Sequence, residues 1–196
     1  MAPTNEDELA DMMYTASTLN HPAFIRYPRG TAEGVPLKPE PQLIEVGRAQ
    51  IVRSFANNKQ RKVALFGLGP MNTIALKAAG QLAAEGYDCA VIRPRFTKPL
   101  DAPAHETYGH EAEVVVTLED HVLMGGYGSA VLELFSETNV TTPVIRIGWP
   151  DQFIEHASTQ DELREKYGLT AANVVARVKA QFGEAPVPVK KLIATV

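Results

Sequence analysis

Five apolar or β-branched residues in succession, Val114-Val115-Val116-Thr117-Leu118, run straight into the polar trio Glu119-Asp120-His121. Successive side chains of a strand point to opposite faces, so a strand with no polar alternation has to be covered on both sides. That requirement predicts a parallel sheet sandwiched between helices. Glu119, Asp120 and His121 are expected at the strand's end. Gly125-Gly126 and Gly128 then allow a tight crossing, and Ser129 is expected to cap a helix whose apolar face carries Val131, Leu132, Leu134 and Phe135. Strand, charged loop and helix make half of a right-handed βαβ unit, and the carboxyl ends of such strands are where α/β folds place ligands and partners.

The same pattern recurs along the chain. Val63-Ala64-Leu65-Phe66 reads as a buried strand, Gly67 to Pro70 as a turn, and Asn72 to Glu85 as a helix stopped by Gly86. Cys89 to Ile92 is a further strand, residues 102–108 a short helix, and Val144 to Ile147 the last strand. Ser158 is a plausible cap for a helix containing Leu163 and Tyr167, and Thr170 for one presenting Val174, Val175 and Val178. Upstream, Asn5 with Glu8 three residues on resembles a capping box. Leu9, Met12, Met13, Ala16 and Leu19 would form the buried stripe of the helix it opens. Ala23 to Tyr27 is strand-like, and residues 31–42, with three prolines, read as an extended linker. Leu43 to Val46 and Gln50 to Phe55 are expected to pair as a hairpin, with a polar turn at residues 57–61 beyond it.

With 196 residues and 45% hydrophobic content, the chain suits one domain plus an extension. Its net charge of -4 and pI near 5.7 leave no basic footprint for nucleic acid or an anionic membrane. No 18-residue apolar span is present and the first residues are acidic, so neither a membrane helix nor a signal peptide is read here, and a cytoplasmic location is expected. Cys89 lies in an apolar run and is expected to pack as a small hydrophobe.

Few motifs carry chemistry. Gly67-Leu68-Gly69-Pro70-Met71-Asn72 matches a dinucleotide fingerprint only in part, because Asn72 replaces its third glycine and Arg93-Pro94 follows the next strand where a ribose-binding carboxylate belongs. A tight strand-to-helix turn is the better reading. The five histidines, His21, His105, His110, His121 and His156, show no metal-ligand spacing, and neither a serine-nucleophile elbow nor a Walker loop is present. Glu119 and Asp120 could serve acid–base chemistry. With nothing in the neighbouring sequence to tune their pKa values, bonding to nearby backbone or a partner surface is the preferred reading, and Glu119, Asp120 and Tyr127 are the expected interface residues. Arg26 and Arg29, in Arg26-Tyr27-Pro28-Arg29-Gly30, could fork onto a phosphate or carboxylate, although surface arginines in ordinary ion pairs are the preferred reading from these residues alone.

Taken together, DELADMMYTA, FIRYPRGTAEGV, ALFGLGPM, RPRFTKPLD, VVVTLEDHVLMGGYGSAV, IRIGWPDQFIEH and YGLTAANV stand in the order in which the deoxyxylulose phosphate synthase family carries them. From about Asp7 to Phe182 the chain resembles the carboxyl-terminal third of that family, which belongs to the transketolase superfamily. The resemblance implies an α/β fold, a three-layer, mostly parallel sheet of the transketolase carboxyl-terminal domain type. It also implies boundaries: residues 1–30 as the end of a pyrimidine-binding domain with its helix and strand, 31–42 as linker, 43–182 as the carboxyl-terminal domain and 183–196 as tail. In that family pyruvate condenses with glyceraldehyde phosphate, with loss of carbon dioxide, on the way to isoprenoids. Arg29 matches the arginine that holds the acceptor phosphate, and Arg26 would add charge beside it.

Three positions depart from the family pattern: His121 stands for asparagine, Tyr127 for a smaller residue and Ala157 for glycine. The family's diphosphate and magnesium motif and its activating glutamate belong to segments not matched here. The resemblance therefore implies thiamine diphosphate and magnesium in the complete enzyme and none bound by this chain alone, which is expected to be inactive without the missing domains or a split subunit. Association into a homo-oligomer is expected as well. Two other readings stay open: a non-catalytic dimerisation or regulatory module, and the carboxyl-terminal domain of a 2-oxoacid dehydrogenase β subunit.

Overall fold

The four apolar runs become the parallel centre of one sheet. In the computed structural model, which describes residues 1–57, 61–156 and 158–184, β1 (Gln50–Arg53), β2 (Lys62–Gly67), β3 (Asp88–Arg93), β4 (Val114–Val122) and β5 (Val144–Trp149) lie in the order β1-β3-β2-β4-β5. The pairs β3–β2, β2–β4 and β4–β5 are parallel, with Leu65 opposite Val91 and Val116, and Leu118 opposite Ile147. Helices α2 (Met71–Ala84) and α6 (Ala171–Gln181) cover one face, and α3 (Ala102–Glu111) and α4 (Tyr127–Thr138) the other. Alternation along each strand divides the core: Val63, Leu65, Val91, Val116 and Ile147 pack with Leu82 and Val174, while Ala64, Phe66, Ile92 and Val115 pack with Val131 and Phe135. Each such side chain removed from water contributes roughly 1.5–3 kcal/mol, which is why both faces need a helical layer. Cys89 is fully buried in this core, and burial pushes its thiol up to about 12.

The edges and ends differ from expectation. No hairpin forms between residues 43–46 and 50–55. Gln50–Arg53 instead pairs antiparallel with β3, whose edge offers a longer hydrogen-bonding partner than the Leu43–Val46 segment, which is not a strand. Ala23 to Tyr27 is not a strand either. Among the described residues its backbone bonds are Arg26 N donating to Met1 O and the Met1 amine donating to Phe24 O, both to one residue and too few to build a ladder. The caps also move by a residue or more. Thr159, rather than Ser158, caps α5 (Gln160–Tyr167) in a full capping box with Glu162, whereas Thr170 caps α6 as expected.

Helix α1 (Glu6–Thr18) begins at Asn5, whose side chain accepts from Glu8 N, but its buried face is polar: Glu8, Asp11, Met12 and Thr15 turn inward and Met13 is 60% exposed. The extended segment that follows accounts for this. Gly34 N and Val35 N donate to Glu6 Oε1, Lys38 N to Asp7 Oδ1, Gln42 N to Asp11 Oδ1 and Ile44 N to Thr15 Oγ1, while Lys38 Nζ pairs with Asp7 and Asp11. A chain without regular structure still needs partners for its N–H groups, and one acidic helical face supplies them. Met12 then packs with Ile44 and Phe96, and Arg95 Nε donates to Glu8, fastening the helix to the sheet's end.

Candidate functional site

The carboxyl ends of β2 and β4 open on a cleft of about 610 Å³. Leu68 comes from the end of β2, Glu119 and His121 from β4, Thr97 from the loop after β3, and Gly125, Gly126, Tyr127 and Ala130 from the turn into α4. The opposite wall is the N-terminal segment, with Met1 and Phe24 to Tyr27. Thus the strand-end position read from the sequence is the position of the cleft.

Its floor is built around Glu119. The strand runs on to Val122, so Glu119 and Asp120 lie inside β4 and not beyond it. Glu119 is fully buried, and its carboxylate accepts from Tyr127 N at 2.6 Å and Gly128 N at 2.9 Å. It therefore does the capping predicted for Ser129. The N-cap of α4 is Gly126, with no side-chain cap of its own, and Ser129 Oγ donates instead to Leu123 O. A Cβ on Gly126 would fall on Glu119 Oε2 and Val122 O, so glycine is what lets the turn close over the carboxylate. Burial raises the Glu119 pKa, against the two N–H bonds and the His121 and Arg146 charges that lower it. The expectation that nothing nearby would tune it is corrected accordingly.

The three predicted interface residues face inward. Glu119, Asp120 and Tyr127 are 0%, 5% and 3% exposed. Asp120 accepts from Trp149 Nε1 at 2.6 Å and Arg164 Nη2 at 2.8 Å, tying β4 to β5 and α5. The Tyr127 hydroxyl lies 2.8 Å from His105 Nε2, while His105 Nδ1 sits 2.6 Å from Asp101 O. Since a carbonyl only accepts, Nδ1 carries the proton and Nε2 accepts from the phenol. Burial holds the fully enclosed His105 below its ordinary pKa. All three side chains are engaged within the chain. Sequence reasoning weighed His105 only as one of five histidines without metal-ligand spacing and missed this role. The one signal was its spacing four residues after Asp101, whose carboxylate caps α3 by accepting from Ala104 N.

Arg26 and Arg29 part company. Arg26 lines the cleft and its Nη2 donates to Asp120 O, while Arg29 is exposed in the segment beyond and outside the cleft lining. The Gly67–Asn72 turn is the tight crossing expected: a Cβ on Gly67 would come within 2.5 Å of the Asn72 Cα. His121 is exposed beside the cleft, and Ala157, the centre of the 57–61 turn and the tail from residue 185 lie outside the described residues.

The donor set does not fit a magnesium diphosphate. Among the described residues no three His, Cys, Asp or Glu side chains converge to hold a cation, and the carboxylate at the cleft is spent on two backbone N–H groups. What the arrangement offers is a rigid, walled strand-end recess with one guanidinium at its lip.

A sheet of this order, covered on both faces and open at its carboxyl edge, makes a three-layer α/β module. Residues 54–174 match the family described as Transketolase, C-terminal domain, and the chain belongs to that family. It is 46% identical to a 1-deoxy-D-xylulose-5-phosphate synthase of Acidobacterium capsulatum, over 87% of this chain and 26% of the relative. It is 45% identical to the synthase of Methylacidiphilum infernorum, over 89% of this chain and 27% of the relative. The chain therefore spans about a quarter of the length of these relatives. Among solved structures, a split gene transketolase described as an inactive beta4 tetramer superposes with a TM-score of 0.77 at 34% identity, covering 91% of this chain and 56% of that one. No helix among the described residues is long and apolar enough to cross a membrane.

Proposed function

We propose that this chain supplies the carboxyl-terminal part of a thiamine-diphosphate-dependent 1-deoxy-D-xylulose-5-phosphate synthase, a cytoplasmic transferase that condenses pyruvate with glyceraldehyde 3-phosphate and releases carbon dioxide. Residues 1–30 are the end of the pyrimidine-binding domain, 31–42 the linker, 43–182 the carboxyl-terminal domain and 183–196 the tail. The observation that carries the reading is the strand-end cleft, whose one wall is the short N-terminal segment bearing Arg26 and leading to Arg29. That wall exposes Phe24 at 87% and Tyr27 at 60%, apolar surface of the kind a further domain covers. Arg29 takes the acceptor phosphate by charge-assisted hydrogen bonds, and Arg26, anchored on the Asp120 carbonyl, adds positive charge beside it. Thiamine diphosphate and its magnesium reside on the domains that complete the enzyme, and the chain alone is inactive. Because the similar solved structure belongs to a split-gene protein, a separate subunit is a natural source for those domains.

Mixing this chain with a polypeptide carrying the missing domains, in the presence of thiamine diphosphate and magnesium, tests the proposal. Carbon dioxide release dependent on both pyruvate and glyceraldehyde 3-phosphate is expected from the mixture and from neither part. In the assembled enzyme Arg29→Ala should raise the KM for glyceraldehyde 3-phosphate by about tenfold or more, the loss of one hydrogen bond to a charged group. Turnover by the chain alone, or an unchanged KM in Arg29→Ala, would refute it.

A further inference from the structure

A second recess, of about 390 Å³, is lined by residues of β5, an edge strand of the sheet, and of α6. Arg146 comes from within β5 and Arg177 from α6. Arg177 Nη1 donates to Arg146 O at 2.7 Å, and Arg146 Nη1 donates to Leu123 O at 3.1 Å and Ser129 Oγ at 3.0 Å. Each guanidinium is thus fixed by one nitrogen, leaving the remaining N–H donors of a five-donor fork for a ligand.

Neither arginine has a carboxylate within ion-pair distance among the described residues, and none of the residues outside that description is Asp or Glu. The acidic groups nearby are engaged elsewhere. Glu119, close enough to Arg146 to feel its charge, is committed to the α4 N-terminus. Glu155 is held by Lys166 and the Tyr167 hydroxyl. Both cations line one concave space, and among the described residues no carboxylate lies within ion-pair distance of either. Arg177 is exposed at the mouth of the recess, and partial desolvation of its head, and then the Arg146 charge, lower its pKa. Tyr167 and Asn173 complete a polar wall, and Leu123, Ile147 and Pro150 an apolar one. Few precisely placed polar groups on an otherwise apolar lining are the composition of small-molecule sites.

We propose that the recess between Arg146 and Arg177 binds the phosphate group of a small phosphorylated molecule, as a site separate from the strand-end cleft. Two guanidiniums match a phosphate dianion in charge and in bidentate geometry, whereas a single carboxylate would balance only one of them. The site is independent of the synthase reading, since neither arginine touches the cleft in which that reading rests.

Inorganic phosphate, titrated into the intact chain and followed by amide chemical shifts and calorimetry, is the direct test. Saturable binding at or below about 10 mM is expected, with the shifts centred on Arg146, Gly148 and Arg177, and with acetate at least about tenfold weaker. Arg177→Gln should weaken phosphate binding by about tenfold or more while the far-ultraviolet spectrum and melting point stay near wild type, and Arg177→Lys should restore part of it. Lys77→Ala, which removes an exposed cation of α2, should leave it unchanged. Absence of saturation, equal binding by Arg177→Gln, or shifts centred on Arg26 and Arg29 instead would overturn the proposal.

Discussion

Replacing Asp120 by alanine distinguishes an internal strut from an interface residue. The carboxylate is 5% exposed and holds three donors: Trp149 Nε1 at 2.6 Å, Arg164 Nη2 at 2.8 Å and Gln160 Nε2 at 3.3 Å. Arg164 is itself only 16% exposed, and its Nε already lacks a partner among the described residues. Removal of Asp120 would leave that guanidinium and the indole N–H without their acceptor. Breaking a buried pair by deleting one partner costs roughly 3–5 kcal/mol, and the residual exposure of Arg164 places the expectation at the low end, about 3 kcal/mol. For a chain of this length that is a fall in Tm of roughly 6–12 °C. Guanidinium denaturation of the isolated chain, followed by circular dichroism, measures it. In a double-mutant cycle with Arg164→Met, a coupling of about 1.5–3 kcal/mol is expected, the value of a hydrogen bond to a charged group. A loss below about 1 kcal/mol, accompanied by a change in association state, would favour the contact-surface reading and refute the strut.

Two other outcomes test the cleft floor. Gly126→Ala should destabilise the chain by about 1–3 kcal/mol, because the added methyl meets Glu119 Oε2 and the Val122 carbonyl, the latter a backbone atom that cannot swing away; thermal melts report it. His105 is held neutral, with a folded-state pKa below its ordinary 6.5. The unfolded chain therefore takes up the proton first as pH falls, and stability, fully present above pH 6.5, declines as pH drops toward the folded value. His105→Asn should flatten that acid limb in denaturation curves collected between pH 7 and pH 5, and an unchanged slope would remove His105 as its source.

The central sheet was legible because its code is local. Runs such as Val63–Phe66, Cys89–Ile92 and Val114–Leu118 hold their covering requirement within five residues, and their helices carry their own periodicity and glycine stops. The edges were not. Gln50–Arg53 has no inherent preference between a hairpin and the free side of β3, and only the assembled sheet offers the longer edge. Likewise α1 displays an apolar stripe through Met13 that any sequence reading would bury. Five backbone N–H groups of the following segment, however, need the acidic and hydroxyl side chains of its other face.

The order of residues by itself determined a helix-covered parallel sheet, the family to which it belongs, and a strand-end opening next to Glu119. Tertiary structure alone decided what that carboxylate does, since its two N–H donors come eight and nine residues later, from a helix whose approach depends on Gly126. It also decided which arginine stands at the opening and which two meet at the edge of β5. Hydrophobic periodicity is written along the chain, whereas the partner of a buried polar group is fixed only when distant segments close around it.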